Sequence, residues 1–503
     1  MMGVTDGLLH DAEWIRVEAT LGLSADTQAS RGQYFTPERA ASLIASMPVV
    51  PDADPIRILD PGAGSGILTA AVVERLVNEV PGRRIEITAI DIDPALIPTL
   101  QRTADLCCQW AQALGTEVSI RVIQGNVISL ATGLDSQLNP EFDIVIMNPP
   151  YMKLGAFSQS RRALSSLGWD APNLYCAFLA IGVEALKPGG QLVAITPRSF
   201  ANGPYFAPFR KTLLREVAIN RLHTFESRSS VFSDTGVLQE NVVFSATKHG
   251  KRDTVLITAS HDHTDKVVER LITYDNLVSP SDPGQFIRIT TDAADDDAVR
   301  MMAGLPSSLS DLGLAVSTGR VVDFRARSNL VDQPTPHSVP LVYPGNLHDG
   351  QIRWPYSMGK PQGFVTHCDK DCKSLMPPGC YVLVKRFSAK EERRRIVAAL
   401  WTPEANVDQP VAFENHLNVF HVGGEGVDPD LGWGLCLWLN STVVDRYFRT
   451  FSGHTQVNAT DLRSLRYPDV DMLCHLARMT DVLPDQDELD SLVDQIIGER
   501  VTV

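Results

Sequence analysis

The chain has 503 residues, 44% of them apolar and 21% charged, with a formal net charge of −15. That length suggests two or three domains and that composition an ordinary soluble globular protein, read as cytoplasmic and as having no membrane span and no secretory leader at its start. The negative total argues against a surface coated with nucleic acid, although a local basic cleft stays open because binding responds to the local field, and eight scattered cysteines read as reduced thiols.

In chain order, residues 1–30 read as helical, with Leu8, Leu9, Trp14 and Ile15 available for packing. The segment Arg31-Gly32-Gln33-Tyr34-Phe35-Thr36-Pro37 precedes a helix through Ala40, Leu43, Ile44 and Met47. A strand, Ile58-Leu59-Asp60, then enters the turn Pro61-Gly62-Ala63-Gly64-Ser65-Gly66 before a helix over 67–76. Glycines at such a turn let backbone approach a ligand at a helix N-terminus, although a lone glycine-rich loop is a weak signal. A second strand, 85–90, ends at Asp91, where a carboxylate can accept from ribose hydroxyls. A third, 120–123, leads to Gln124-Gly125-Asn126-Val127, and an amide there can bond the amino edge of an adenine ring.

The fourth strand, Phe142-Asp143-Ile144-Val145-Ile146-Met147, runs into Asn148-Pro149-Pro150-Tyr151. An Asn at the end of a buried parallel strand offers an amide oxygen to an amino hydrogen where open α/β sheets handle ligands. The prolines stiffen the turn and expose a carbonyl with no competing N–H, and Tyr151 supplies a flat face. Together these suit an exocyclic amino group on a planar ring; the bland alternative is a rigid turn after a strand. The stretch Met152–Pro172 reads as a mobile loop, with Lys153, Arg161 and Arg162 available for phosphates, or as a plain surface connection. A helix over 178–186, the breaker Pro188-Gly189-Gly190 and a strand over 191–195 continue the alternation to about Lys248. Such alternation predicts an α/β fold, a mostly parallel sheet with helices on both faces.

Beyond Gly250 the pattern changes to short strands and turns, so the boundary falls there, giving domains 1–250 and 251–503. The turn Tyr343–Gly350 with Arg353 and Trp354 is a candidate for facing a groove. Lys385 to Arg395 holds six basic and two acidic residues, among them Lys385, Arg386, Arg393, Arg394 and Arg395; the alternative there is a solvated helix face. His367, Cys368, Cys372 and Cys380 lack a second paired motif, so no metal site is expected.

The motif series resembles that of the S-adenosylmethionine-dependent amino methyltransferases acting on adenine N6 in DNA, whose signature is Asp/Asn-Pro-Pro-Tyr/Phe. The order, with the segment around Tyr34 ahead of the glycine turn and the recognition region last, is that of the γ class. TaqI-type enzymes are distant relatives. The C-terminal half is similar to the PstI and BsuBI modification enzymes in the phrases from Val384 to Arg395 and from Ser452 to Arg463.

The resemblance implies a Rossmann-like methyltransferase domain followed by an α+β target-recognition domain. The cofactor is S-adenosyl-L-methionine, held by Tyr34, Thr36, Pro37, Asp60, Gly62, Gly64, Gly66, Asp91, Ile92, Asn126, Val127 and Asn148. Asn126 is a departure, since many relatives carry Asp there. In the catalytic set Asn148, Pro149, Pro150 and Tyr151, the Asn148 oxygen and the Pro149 carbonyl accept the amino hydrogens of an adenine flipped from double-stranded DNA. Tyr151 stacks on one face of the base, with Phe244 the candidate for the other. The expected partners are DNA and, since no nuclease-type cluster stands out, either a separately encoded restriction endonuclease or none; the protein is expected to be a monomer. Rival readings are a protein glutamine methyltransferase, an RNA adenine methyltransferase and a DNA-binding module with a dead cofactor pocket.

Overall fold

A computed structural model of the chain describes residues 7–21, 35–132, 141–155, 157–225, 241–260, 268–280, 282–356, 359–388, 392–403, 409–452 and 455–498. It divides into two compact units, Met1–Thr291 and Asp292–Val503.

The first unit is built on one nine-stranded sheet. Its strands are β1 (Ile56–Pro61), β2 (Ile85–Asp91), β3 (Val118–Gln124), β4 (Phe142–Met147), β5 (Leu186–Pro197), β6 (Val217–Phe225), β7 (Asn241–Lys248), β8 (Thr254–Ser260) and β9 (Val268–Thr273). They lie in the order β3-β2-β1-β4-β5-β7-β6-β8-β9. Strands β1 to β5 pair in parallel, and β7 runs antiparallel to both β5 and β6. The strand that carries Phe244 is therefore reversed within an otherwise largely parallel sheet.

The helices that matter to the site are α1 (Leu8–Leu21), α2 (Glu38–Ser46), α3 (Ile67–Glu79), α4 (Ile97–Ala113), α5 (Val127–Thr132), α6 (Gln159–Ser166), α7 (Leu174–Ala185) and α8 (Ala207–Glu216). Alternation along β4 sorts its side chains between two cores. Val145 and Met147 join the core containing α7, whereas Ile144 and Ile146 join the one containing α1, α2 and α3. Helix α7 is apolar over most of its surface, as befits a helix with nine of its twelve residues buried. It starts where the Asn173 side chain accepts from the Cys176 N–H at 3.0 Å. Chain order in the sheet reverses between β1 and β4, each a neighbour of the other, and their C-terminal ends open the crevice where such sheets bind ligands.

Two expectations are corrected. The stretch after Tyr151 is not a plain loop, because it contains α6. Ser158 caps that helix by accepting from the Arg161 N–H, and Leu164 and Trp169 are buried, with the Trp169 indole N–H donating to Glu184 at 2.8 Å. The first unit also runs past Gly250, since β8 and β9 continue its sheet. The buried Arg210 ties the segment after β9 back to the sheet. It donates to the carbonyls of Phe200 (2.9 Å), Gly203 (3.2 Å), Gly284 (2.7 Å) and Gln285 (3.1 Å).

The second unit holds two smaller sheets. One has six strands in the order Ala315–Thr318, Leu417–His421, Tyr381–Lys385, Ala398–Trp401, Gln351–Ile352 and Leu347–His348. The other has five, with Val339–Val342 and Val411–Phe413 paired in parallel near its middle. Helices Pro429–Leu439, Thr442–Phe451, Val470–Met479 and Gln486–Gly498 complete an α+β unit. Among the described residues no helix is long and apolar enough to cross a membrane.

Candidate active site

A cavity of about 460 Å³ opens at the C-terminal ends of β1, β2, β3 and β4. Three turns and one tetrapeptide build it. After β1 the chain folds back so that the N–H groups of Gly62 and Ala63 both donate to the Ile90 carbonyl, at 2.8 and 2.9 Å. Gly62 and Gly66 have φ of 76° and 84°, a region costly to residues with a Cβ. A Cβ on Gly66 would lie 2.9 Å from the Leu100 Cδ1, and one on Gly62 3.0 Å from the Phe178 ring. The turn is therefore glycine for both conformation and space.

Asp91, at the end of β2, clamps this turn. One of its carboxylate oxygens accepts from the Gly64 N–H at 2.8 Å and the other from the Asp93 N–H at 2.9 Å. Burial pushes its pKa up, and the bonds from Asp93 and Gly64 oppose that shift. Each oxygen keeps a lone pair, so the carboxylate can still accept hydroxyl hydrogens at the cavity wall it helps to form.

Asp60 does not reach the cavity. It is buried beneath the turn, where the Thr69 hydroxyl donates to it at 2.7 Å. Burial raises its carboxyl to about 7, with Thr69 opposing and the Asp91 charge adding to the rise. Its role is to hold the turn from below.

Asn126 lines the cavity, but with the opposite polarity to that expected. Its side-chain oxygen caps α5, accepting from the Ile128 N–H at 3.0 Å, with the Ser129 N–H at 3.5 Å. Turning the amide over would set its NH2 against these donors, so the network fixes the oxygen on the helix and leaves the NH2 as the available group. Ile92, exposed, and Val127, buried, line the same wall.

At the end of β4, the Asn148 NH2 donates to the Thr36 hydroxyl at 3.0 Å, and its oxygen accepts from the Tyr151 hydroxyl at 3.1 Å. The amide is thus held from both ends. Pro149, Pro150 and Tyr151 line the cavity with it. The Tyr151 ring meets Tyr175 edge-on at 6.2 Å, and burial holds its phenol neutral by pushing the pKa up. Thr36, next to the α2 cap Pro37, acts through Asn148, and Tyr34 lies outside the described residues.

Phe244 is corrected. It is fully buried in β7 with its ring 5.6 Å from Phe200, so it is a core side chain that cannot face a base. The aromatics at the cavity are instead Phe35, packed against Gly64, and Phe178, packed against Gly62. Phe35 lies within the segment Arg31–Pro37; Phe178 carries no signal beyond that of an apolar helix.

The basic candidates separate. Lys153 and Arg162 are exposed on the segment that contributes Met152 and Ser160 to the cavity, whereas Arg161 pairs with Asp170 at 2.7 Å. In the second unit Lys385 is half-buried at a strand end, and Arg386 donates to the Asn415 carbonyl at 3.2 Å. Arg393 is exposed, and Arg394 is half-buried, donating to the Ser441 carbonyl at 2.8 Å and contacting Gln486. Arg395 is 1% exposed, donates to the hydroxyls of Ser388 and Ser452 and lies 5.2 Å from the Phe448 ring. It is a core arginine, unavailable to phosphates.

The sheet order, the glycine turn clamped by Asp91 and the shared cavity define an S-adenosylmethionine-dependent methyltransferase. Comparison with known proteins narrows this. The Eco57I restriction-modification methylase family model matches residues 106–232. The type II methyltransferase M.PstI of Providencia stuartii is 39% identical over 96% of this chain and 96% of its own length. M.BsuBI of Bacillus subtilis is 38% identical over 93% of this chain and 94% of its own length. The chain belongs to this family of type II restriction–modification methyltransferases. Among solved structures, the type IIL restriction-modification enzyme MmeI, determined in complex with DNA, superposes with a TM-score of 0.56 at 13% identity, over 97% of this chain and 74% of that one. At that identity the likeness speaks to fold.

Proposed function

We propose that the protein methylates the N6 amino group of adenine at one short, specific sequence in duplex DNA, on a base turned out of the helix. The observation that carries this is the Asn148–Tyr151 tetrapeptide, its amide fixed by Thr36 and Tyr151, in one cavity with the Asp91-clamped glycine turn. Bound S-adenosylmethionine supplies a methyl group already activated on a sulfonium. The chain's part is therefore positioning, which can remove several kcal/mol of a barrier.

An adenine amino nitrogen is a poor nucleophile because its lone pair is delocalised into the ring. The Asn148 side-chain oxygen and the Pro149 carbonyl would accept its two hydrogens and favour a more tetrahedral nitrogen. No strong base is needed, since the methylated nitrogen sheds its proton readily. Turning the base out costs a few kcal/mol, and stacking on Tyr151 offsets about 1–3 kcal/mol of it. We assign catalysis to the first unit and target recognition to the second. Phosphate contacts fall to Lys153, Arg162, Lys385, Arg386 and Arg393, with a cognate endonuclease on a separate chain and the methyltransferase acting as a monomer.

Mass spectrometry of nucleosides from treated duplex DNA tests the reading, and N6-methyladenine is the expected product. N4-methylcytosine would move the chemistry to the other amino base. Methyl groups only on RNA or on protein glutamine would replace the substrate class.

A further inference from the structure

The second unit carries a pocket of about 430 Å³ that the chemistry above does not use. Its walls are the aromatic rings of Tyr343 and Phe387, and its polar groups come from Asp323, Lys360, Glu414 and His416. Phe387 is 45% exposed, with its ring 5.0 Å from that of His416. The Tyr343 hydroxyl is buried beside Asp323 and Glu414, yet has no hydrogen-bond partner among the described residues. A buried hydroxyl left unpaired costs free energy that an incoming polar group would relieve.

The remaining groups are arranged as acceptors and a donor at the mouth. Glu414 is fully buried and accepts from the His416 backbone N–H at 2.8 Å and from its Nδ1 at 2.7 Å. That fixes the proton on Nδ1 and leaves Nε2 as an acceptor in the neutral ring. Half-buried Asp323 and exposed Lys360 meet at 3.3 Å, so a carboxylate and an ammonium stand side by side. Arg320, Arg325 and Arg327, on the segment around Asp323, are exposed, as is Phe324 between them. A pocket with its own carboxylates and ammonium, on a segment that also carries exposed arginines, suits a polyanion that presents hydrogen-bonding edges.

We propose that this pocket reads one G·C pair of the target duplex at its major-groove edge, with Asp323 accepting from cytosine N4 and Lys360 donating to guanine O6 or N7. On that edge a G·C pair places the cytosine amino donor next to the guanine acceptors, the complement of the Asp323–Lys360 pair. Phe387 provides an apolar wall beside the reading groups, and Glu414 is a positioning residue that acts through His416. The inference rests on the reading of the chain as a sequence-specific DNA methyltransferase.

Methylation of a randomised duplex pool, with methylated positions read by sequencing, tests it in the full-length protein. The wild type is expected to give one motif containing at least one G·C pair. Asp323→Asn and Lys360→Gln should each relax the same G·C position, lowering discrimination there on the order of ten- to a hundred-fold and leaving the other positions unchanged. Circular dichroism and thermal melts of the full-length variants should match the wild type, showing that the second unit is folded. Relaxation of different positions by the two variants, relaxation at an A·T position, or an unchanged motif would overturn the assignment. If the wild type itself methylated DNA without any motif, or did not methylate DNA, the functional reading would fall instead.

Discussion

The strand ends of the first unit and the arginine run of the second treat sequence neighbours in opposite ways. Gly62, Asp91, Asn126 and Asn148 lie far apart in sequence, yet line one cavity, because parallel strands deliver their C-terminal ends to the same edge. Arg393, Arg394 and Arg395 are consecutive, yet one is exposed, one half-buried and one in the core. A motif at a strand end inherits its position from the sheet. A charge run inherits nothing, since each side chain takes the surroundings that its own backbone position offers.

The sharpest test of the first half of this contrast is Asn148→Ala. Methyl transfer should fall by at least about 100-fold, the order of loss expected when a positioning contact at the reacting group is removed. Cofactor affinity should stay nearly unchanged, because the glycine turn and Asp91 are untouched. Turnover near the wild-type value, measured with tritiated cofactor, would detach the tetrapeptide from the chemistry.

The second half is tested by comparing two neighbours. Arg395→Ala should lower stability by about 3 kcal/mol, as expected for losing hydrogen bonds from a buried cation. Arg393→Ala should change stability by less than about 0.5 kcal/mol, but should lower the slope of log affinity for DNA against log salt by about one unit. Denaturant melts and binding titrations separate the two, and similar behaviour from both variants would dissolve the comparison.

A last test concerns Asp60 and is read against pH. Its carboxyl is raised from an ordinary 3.8 to about 7, so folding favours its protonated form. That contribution is fully present below about pH 3.8 and is lost as pH rises through 7. Asp60→Asn, neutral and of the same shape, should gain stability relative to the wild type across this window and hold the gain above it. A difference that did not vary between pH 4 and 7 would mean that the group is charged in the folded protein.

These contrasts also explain what was legible in the sequence. Glycines with positive φ, a carboxylate ending a strand and Asn-Pro-Pro-Tyr are local patterns whose position the sheet guarantees. Phe244 and Phe178 have no such mark. Both are apolar residues in apolar runs, and only packing decides that Phe244 meets Phe200 while Phe178 meets Gly62. Asp60 and Asp91 both end strands beside the same turn, and depth alone makes one a buried support and the other a wall. The polarity of Asn126 was hidden because it depends on the cap of a six-residue helix, Val127–Thr132. The division of the chain was misplaced because β8 and β9 look like the short strands that follow them, although they pair with the first sheet.

The buried Arg210 has a practical bearing on any attempt to cut the protein in two. Desolvation lowers its pKa to about 10, so at neutral pH it is a charged group that must find acceptors. Two of its four carbonyl partners, on Gly284 and Gln285, come from the segment after β9. A fragment ending at Gly250 would strand the guanidinium without half its acceptors and bare the edge of β6, inviting aggregation. One ending at Thr291 keeps both, and is the piece to express when the cofactor cavity is wanted by itself.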